Sequence, residues 1–163
     1  MATQIEPLLT IADLDIMPDD GNRYELIEGE IFVSRSPSLT HQSVSGNIFL
    51  SIKAYLIENP IGEIWATPGV IFSEFSGVIP DLVIEIVSLG AENERRDRLA
   101  KRQLYGKHGV KEYWIVDFEK RTIEVYLLQE QILQLQSLLT EKDEITSSVL
   151  PGYLAKVETI LLV

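Results

Sequence analysis

The chain contains no cysteine. That excludes disulfides and any metal site built on thiolates, and it suits a reducing compartment such as the cytoplasm without requiring one. No apolar run approaches the ~20 residues that a membrane span needs, so no membrane-crossing helix is expected. The N-terminal stretch carries Glu6, Asp13, Asp15, Asp19 and Asp20 where a secretion signal would have a basic start and an apolar centre. Positive charge is scarce: 14 Lys and Arg face 25 Asp and Glu, a formal net charge of −11. Tight non-specific binding of nucleic acid rests on cations neutralising phosphates, so this surface as a whole is unsuited to it. A local basic patch, or Mg²⁺ held by carboxylates, still permits nucleic acid at one place. Gly/Ser linkers, low-complexity tracts and internal repeats are absent as well, and 163 residues read as one domain, 1–163, with a single core.

The patterning that is present predicts the following elements. Residues 10–17 read as a short helix, with Thr10 as cap, Asp13 at the capping-box position and Pro18 as the stop. Residues 24–27 and 30–34 read as a hairpin turning at Glu28-Gly29. Val44, Ile48, Ile52, Tyr55 and Leu56 recur at helical spacing within a helix over 40–58, which Asn59-Pro60 ends. Strands are expected at 63–66, 70–75 and 78–87, the last apolar on both faces like a central strand. A charged helix over 92–108, with Leu99, Gln103 and Leu104 toward the core, ends at Gly109. Strands follow at 112–117, 122–128, 132–139 and 145–149, and a helix over 154–162 closes the chain. This order predicts a mixed α/β fold of the α+β type, a sheet flanked by helices.

Four segments, taken together and in this order, carry a resemblance. They are Arg23-Tyr24-Glu25-Leu26-Ile27-Glu28-Gly29-Glu30; Ser38-Leu39-Thr40-His41-Gln42; Pro80-Asp81-Leu82-Val83-Ile84-Glu85-Ile86-Val87-Ser88; and Arg96-Asp97 through Lys101, Tyr105, Gly109-Val110 and Glu112-Tyr113-Trp114-Ile115-Val116-Asp117. Pro151-Gly152-Tyr153 fits as well. The set resembles the Uma2 family (DUF820), restriction-endonuclease-like proteins of the PD-(D/E)xK nuclease superfamily, and it spans residues 10–161.

The resemblance implies a restriction-endonuclease-like mixed sheet, an endonuclease hydrolysing DNA phosphodiester bonds, and Mg²⁺ or Mn²⁺ as cofactor. Carboxylates would hold the hard cation, which prefers oxygen ligands. The ion would activate water, and a lysine would add a point charge near the phosphate. Asp81 and Glu85 would be the metal ligands, and with Lys101 the catalytic set. Lys101 stands in because Val87 occupies the position where the usual acid-x-Lys triplet has its lysine. Asp97 lies one helical turn before Lys101 and faces the same way. Glu28 and His41 are supporting candidates.

One departure bears on this expectation. The family pattern carries two Pro-Asp strands, and this chain has one, as though the two had been fused at Asp81-Leu82-Val83. On one regular strand Asp81 and Glu85 stand ~13 Å apart, too far to share an ion without a bulge or a partner such as Glu28. The fold is thus expected to lack one core strand, and activity is expected to be reduced or absent.

Each candidate also has a plainer reading. Glu85 amid apolar neighbours is either functional or half of a structural ion pair. Asp81 is a ligand or a turn former, and Lys101 a catalytic cation or a solvated one. His41 contacts phosphate or metal, or merely opens a helix; Glu28 completes the site or is exposed at a turn. The basic residues Arg95, Arg96, Arg98, Lys101, Arg102 and Lys107 meet DNA backbone, or form a solvated face with Glu92, Glu94 and Asp97. Tyr113 and Trp114 fit core packing better than base stacking. The rival functions are a catalytically inactive nuclease-fold binding module and a hydrolase of another phosphodiester, such as RNA or a nucleotide. A homodimer would suit cutting both strands of a duplex.

Overall fold

The computed structural model describes residues 8–66, 79–87 and 90–163. The chain forms two compact units, Met1–Pro37 and Ser38–Val163. In the first, Asp13 accepts hydrogen bonds from Thr10 N (2.8 Å) and Thr10 Oγ1 (2.7 Å), which starts helix α1 (Ile11–Asp15). Strands β1 (Arg23–Ile27) and β2 (Glu30–Ser34) pair antiparallel, Ile27 opposite Glu30. Their two-residue turn needs positive φ at both positions, and Glu28 and Gly29 adopt 49° and 84°.

In the second unit Ser38 caps α2 (Leu39–Glu58), its hydroxyl accepting from His41 N at 3.1 Å. Val44, Ile48, Ile52 and Leu56 are its buried stripe. The sheet runs β3 (Leu82–Ile86), β4 (Glu112–Asp117), β5 (Thr122–Gln129), β6 (Ile132–Thr140) in that order. β3 pairs parallel with β4, and the other two pairings are antiparallel. Parallel neighbours demand a crossover. Here it is a helical stretch made of α3 (Ala91–Arg95), a π-helical segment (Arg96–Lys101) and α4 (Arg102–Lys107). Gly109, at φ 84°, ends it in the left-handed conformation that glycine tolerates.

The sheet separates two apolar clusters. Ile86, Trp114, Val116, Ile123 and Val125 pack with the α2 stripe and with Ile145, Tyr153, Val157 and Ile160. On the opposite face Val83, Val87, Tyr113, Ile115, Tyr126 and Leu133 pack with Leu104, Tyr105 and Val110. The C-terminal segment forms β7 (Glu144–Thr146), paired antiparallel with β8 (Leu154–Lys156), and then α5 (Val157–Ile160). It is tied to the sheet by the fully buried Glu112, which accepts from Trp114 Nε1 at 2.6 Å and Ser148 N at 2.7 Å. Among the described residues no helix is long and apolar enough to cross a membrane.

Several expectations need correction. Residues 63–66 form no strand: Ile64 packs on the core, but no ladder partner is present among the described residues. The segment 154–162 divides into β8 and α5, because Leu154–Lys156 finds a partner in β7. In the same region the strand expected over 145–149 stops at Thr146, where Glu112 draws Ser148 into a turn. Among the described residues β3 pairs with β4. The helix over 92–108 turns differently from its apolar pattern: Leu99 is 43% exposed, while Arg96, Asp97 and Lys101 are buried. The strand expected over 70–75 lies outside the described residues.

Candidate active site

Alternation along β3 sends Val83, Glu85 and Val87 to the face covered by the crossover helix. A carboxylate there is costly unless it is paired. Glu85 Oε1 accepts from Lys101 Nζ at 3.0 Å and from Tyr105 Oη at 2.8 Å. The Lys101 side chain is 5% exposed and that of Glu85 22%, so the pair is approached from the carboxylate side. Of the two readings of Glu85, the ion pair is therefore present.

The crossover helix builds the rest. Asp97, Lys101 and Tyr105 recur every four residues along it, and the π-helical segment containing the first two is a winding often found where a helix serves a site. Asp97 Oδ1 lies 3.7 Å from Lys101 Nζ and accepts from Arg96 Nε at 2.7 Å. Arg96 also donates Nη2–H to Asp97 Oδ2 at 3.1 Å, closing a two-pronged grip. Tyr113 Oη donates to the Asp97 carbonyl at 2.9 Å, which fastens the helix to β4. The result is a chain of alternating charge, Glu85, Lys101, Asp97, Arg96, with two cations to two anions. Burial pushes the Asp97 carboxyl above its usual range and Arg96 opposes that; the Glu85 charge adds to the rise and Lys101 reduces it. Burial also drives the Tyr113 phenol well above its ordinary value, so it stays a neutral donor.

A second ionic cluster is built on the same helix around Arg98. Arg98 meets Asp117 at 2.8 Å, Glu124 in close contact and Glu94 at 3.6 Å, while Arg102 lies 5.1 Å over the Tyr126 ring. Much of the basic concentration in the sequence is thus engaged with carboxylates and aromatic faces of the chain itself.

The remaining candidates fall elsewhere. Asp81 stands before β3 with its side chain 63% exposed, 2.7 Å from Lys111 Nζ, while its carbonyl accepts from the backbone of Lys111 and Glu112. It does not join Glu85. His41, on the first turn of α2, places Nε2 3.2 Å from the Ile86 carbonyl at the far end of β3. Glu28 occupies the hairpin turn of the first unit. Tyr113 and Trp114 are fully buried, in line with core packing. The structure thus brings together Glu85, Asp97 and Lys101, and adds Arg96, Tyr105 and Tyr113. The spacing of Asp97, Lys101 and Tyr105 was a visible signal for Tyr105; nothing in the sequence pointed to the Arg96 grip or the Tyr113 bond.

A hard divalent cation collects several oxygens within ~2–2.6 Å. Among the described residues no three His, Cys, Asp or Glu side chains stand close enough to hold one. Asp97 spends its oxygens on Arg96 and Lys101, and Asp81 is paired with Lys111. Glu85 Oε2 and Asp81 Oδ2 carry no hydrogen bond among the described residues, but four residues of extended strand hold the two side chains ~13 Å apart, so these residues alone do not fit a two-carboxylate metal centre.

Comparison with curated proteins finds no match. A crystal structure described as that of "a putative nuclease belonging to DUF820 from Anabaena variabilis ATCC 29413" superposes with a TM-score of 0.67 over 94% of this chain and 97% of that one, at 16% sequence identity. At that identity the likeness establishes the fold and nothing finer. Residues 72–158, more than half of the chain, match the family described as "Uma2: Putative restriction endonuclease". That stretch contains β3, the crossover helix and β4, hence the whole Glu85–Lys101–Asp97 cluster, and the chain belongs to the Uma2 family.

Proposed function

We propose that this chain is a nuclease, hydrolysing phosphodiester bonds of DNA in the cytoplasm at the Glu85–Lys101 pair. The observation that carries this reading is a half-buried strand carboxylate joined at 3.0 Å to a lysine from the next helix. The pair recreates in space the acid-and-lysine partnership that the sequence triplet lacks. Lys101, held between Glu85 and Asp97, contributes a fixed positive charge beside a phosphate that gains negative charge as water attacks. Glu85 Oε2 can accept a hydrogen bond from that water and orient it. Mg²⁺ or Mn²⁺ is the cofactor that membership of the family suggests, and Glu85 is the one carboxylate of the cluster with an oxygen to offer it. A two-fold homodimer is part of the same proposal, since a duplex has two strands to cut, and light scattering on the eluting protein tests it.

The test is cleavage of duplex DNA and of RNA, each with Mg²⁺ and with Mn²⁺, by the parent, Glu85→Gln, Lys101→Ala and Asp81→Asn. Cleavage of DNA by the parent should fall roughly 100-fold or more in the first two variants. Asp81→Asn should change it by no more than about threefold, as befits an exposed ion pair. Preference for RNA would move the substrate class. Absence of cleavage by the folded parent would sink the nuclease reading.

The second reading is a nuclease-fold binding module without catalysis. The separation of Asp81 from Glu85 favours it. Calorimetric titration of Mg²⁺ and Mn²⁺ into the parent and Glu85→Ala separates the two: binding lost in the variant supports the nuclease, and no binding in either supports the module.

A further inference from the structure

Both described partners of Glu85 meet the same oxygen. Lys101 Nζ and Tyr105 Oη lie 3.0 Å and 2.8 Å from Oε1, and no described residue donates to Oε2. Lysine alone would not make that choice: an ammonium carries three rotatable donors on a flexible stem and can sit between both oxygens of a carboxylate. A phenol donates along one direction fixed by its ring. The Tyr105 ring is itself held. It is buried, meets Tyr113 edge to face at 5.2 Å, and is followed by Gly106, which lies so close to the turn after β5 that an added Cβ would stand 2.9 Å from the Gln131 carbonyl.

We infer that Tyr105 is a positioning residue, which fixes the Glu85 carboxylate so that Oε1 is spent inside the cluster and Oε2 faces outward. Its functional weight rests on Glu85 being the working carboxylate proposed above. An outward oxygen of defined direction is what a reacting water, or an ion, requires. Tyr105 touches neither; it acts through Glu85, as partners behind a working carboxylate do. Asp97 does the matching task for Lys101 from the other side.

The experiment compares crystal structures and steady-state cleavage of duplex DNA for the parent, Tyr105→Phe, Glu85→Gln and the double variant. In Tyr105→Phe the ring should stay while the carboxylate turns to share both oxygens with Lys101. kcat should fall about tenfold with KM unchanged, the size expected for a residue that orients another. In the Glu85→Gln background the same substitution should cost nothing further. An unturned carboxylate would overturn the inference, and so would a fall expressed in KM or matched by a lower Tm. If the parent does not cleave DNA, the nuclease reading fails separately and the orientation of the carboxylate alone decides the role of Tyr105. Should Tyr105→Phe not fold, fluorotyrosine at position 105 keeps ring and hydroxyl; its fluorine resonance should move on Glu85→Gln, and an unmoved resonance overturns the inference.

Discussion

Asp97 has no solvent exposure and sits between Arg96 and Lys101. Burial raises its pKa more than its cations lower it. Between the ordinary carboxylate value and the raised one, the folded chain therefore holds a proton that the unfolded chain has released. Unfolding free energy should fall as pH rises through that window. Urea midpoints measured across it should slope downward for the parent, and the slope should be weaker in Asp97→Asn; equal slopes would mean that Asp97 titrates as it does in the unfolded chain. The variant should also be less stable at neutral pH, because an amide answers the buried Arg96 poorly. At this scale the sequence was informative about identity and poor on environment. Glu85, Lys101 and Asp97 were all singled out before their contacts were known. That Asp81 would turn away to Lys111 depends on where β4 begins beside it, which no local pattern encodes.

The crossover helix shows why a hydrophobic pattern can mislead about a helix face. Leu99, Gln103 and Leu104 pointed to one side as the core face; Leu104 does pack there, but Leu99 and Gln103 are exposed and the buried side carries Arg96, Asp97, Lys101 and Tyr105. Charged residues can face a sheet when every charge is matched there, and Glu85 supplies the missing anion. Pairing of this kind joins residues far apart in sequence, so periodicity cannot reveal it. The helix also presses close on the β5–β6 connection through Gly106, where an added Cβ would come within 2.9 Å of Gln131 O and 3.2 Å of Leu133 N, both backbone atoms. Gly106→Ala should accordingly destabilise the protein by about 1–3 kcal/mol, against the usual helix preference for alanine. Denaturant unfolding checks this, and a stabilised variant would show that helix and turn can separate at little cost. The hairpin of the first unit, by contrast, was readable to within one residue, because a two-residue turn and alternating strands are local devices.

For the molecule as a whole, the net charge of −11 and the internal engagement of Arg96, Arg98, Lys101 and Arg102 on the most basic helix disfavour contact with a nucleic acid backbone. Affinity for duplex DNA should be weak and should vary with salt by a log–log slope no steeper than about −4, the equivalent of some four phosphate contacts. Fluorescence anisotropy on a labelled duplex across salt concentrations measures it, and a slope near −8 would reveal a basic surface that the described residues do not display. The class of fold, most of its elements and the family are legible along the chain, because periodicity, turn chemistry and an ordered set of motifs are written there, and Glu85, Asp97 and Lys101 stand out in it as candidates. Only the tertiary structure decided that Glu85 meets Lys101 and Tyr105 while Asp81 meets Lys111. Those contacts arise from a parallel strand pair and the crossover helix packed across it, and the energy of a buried charge depends on partners that only such packing brings within reach.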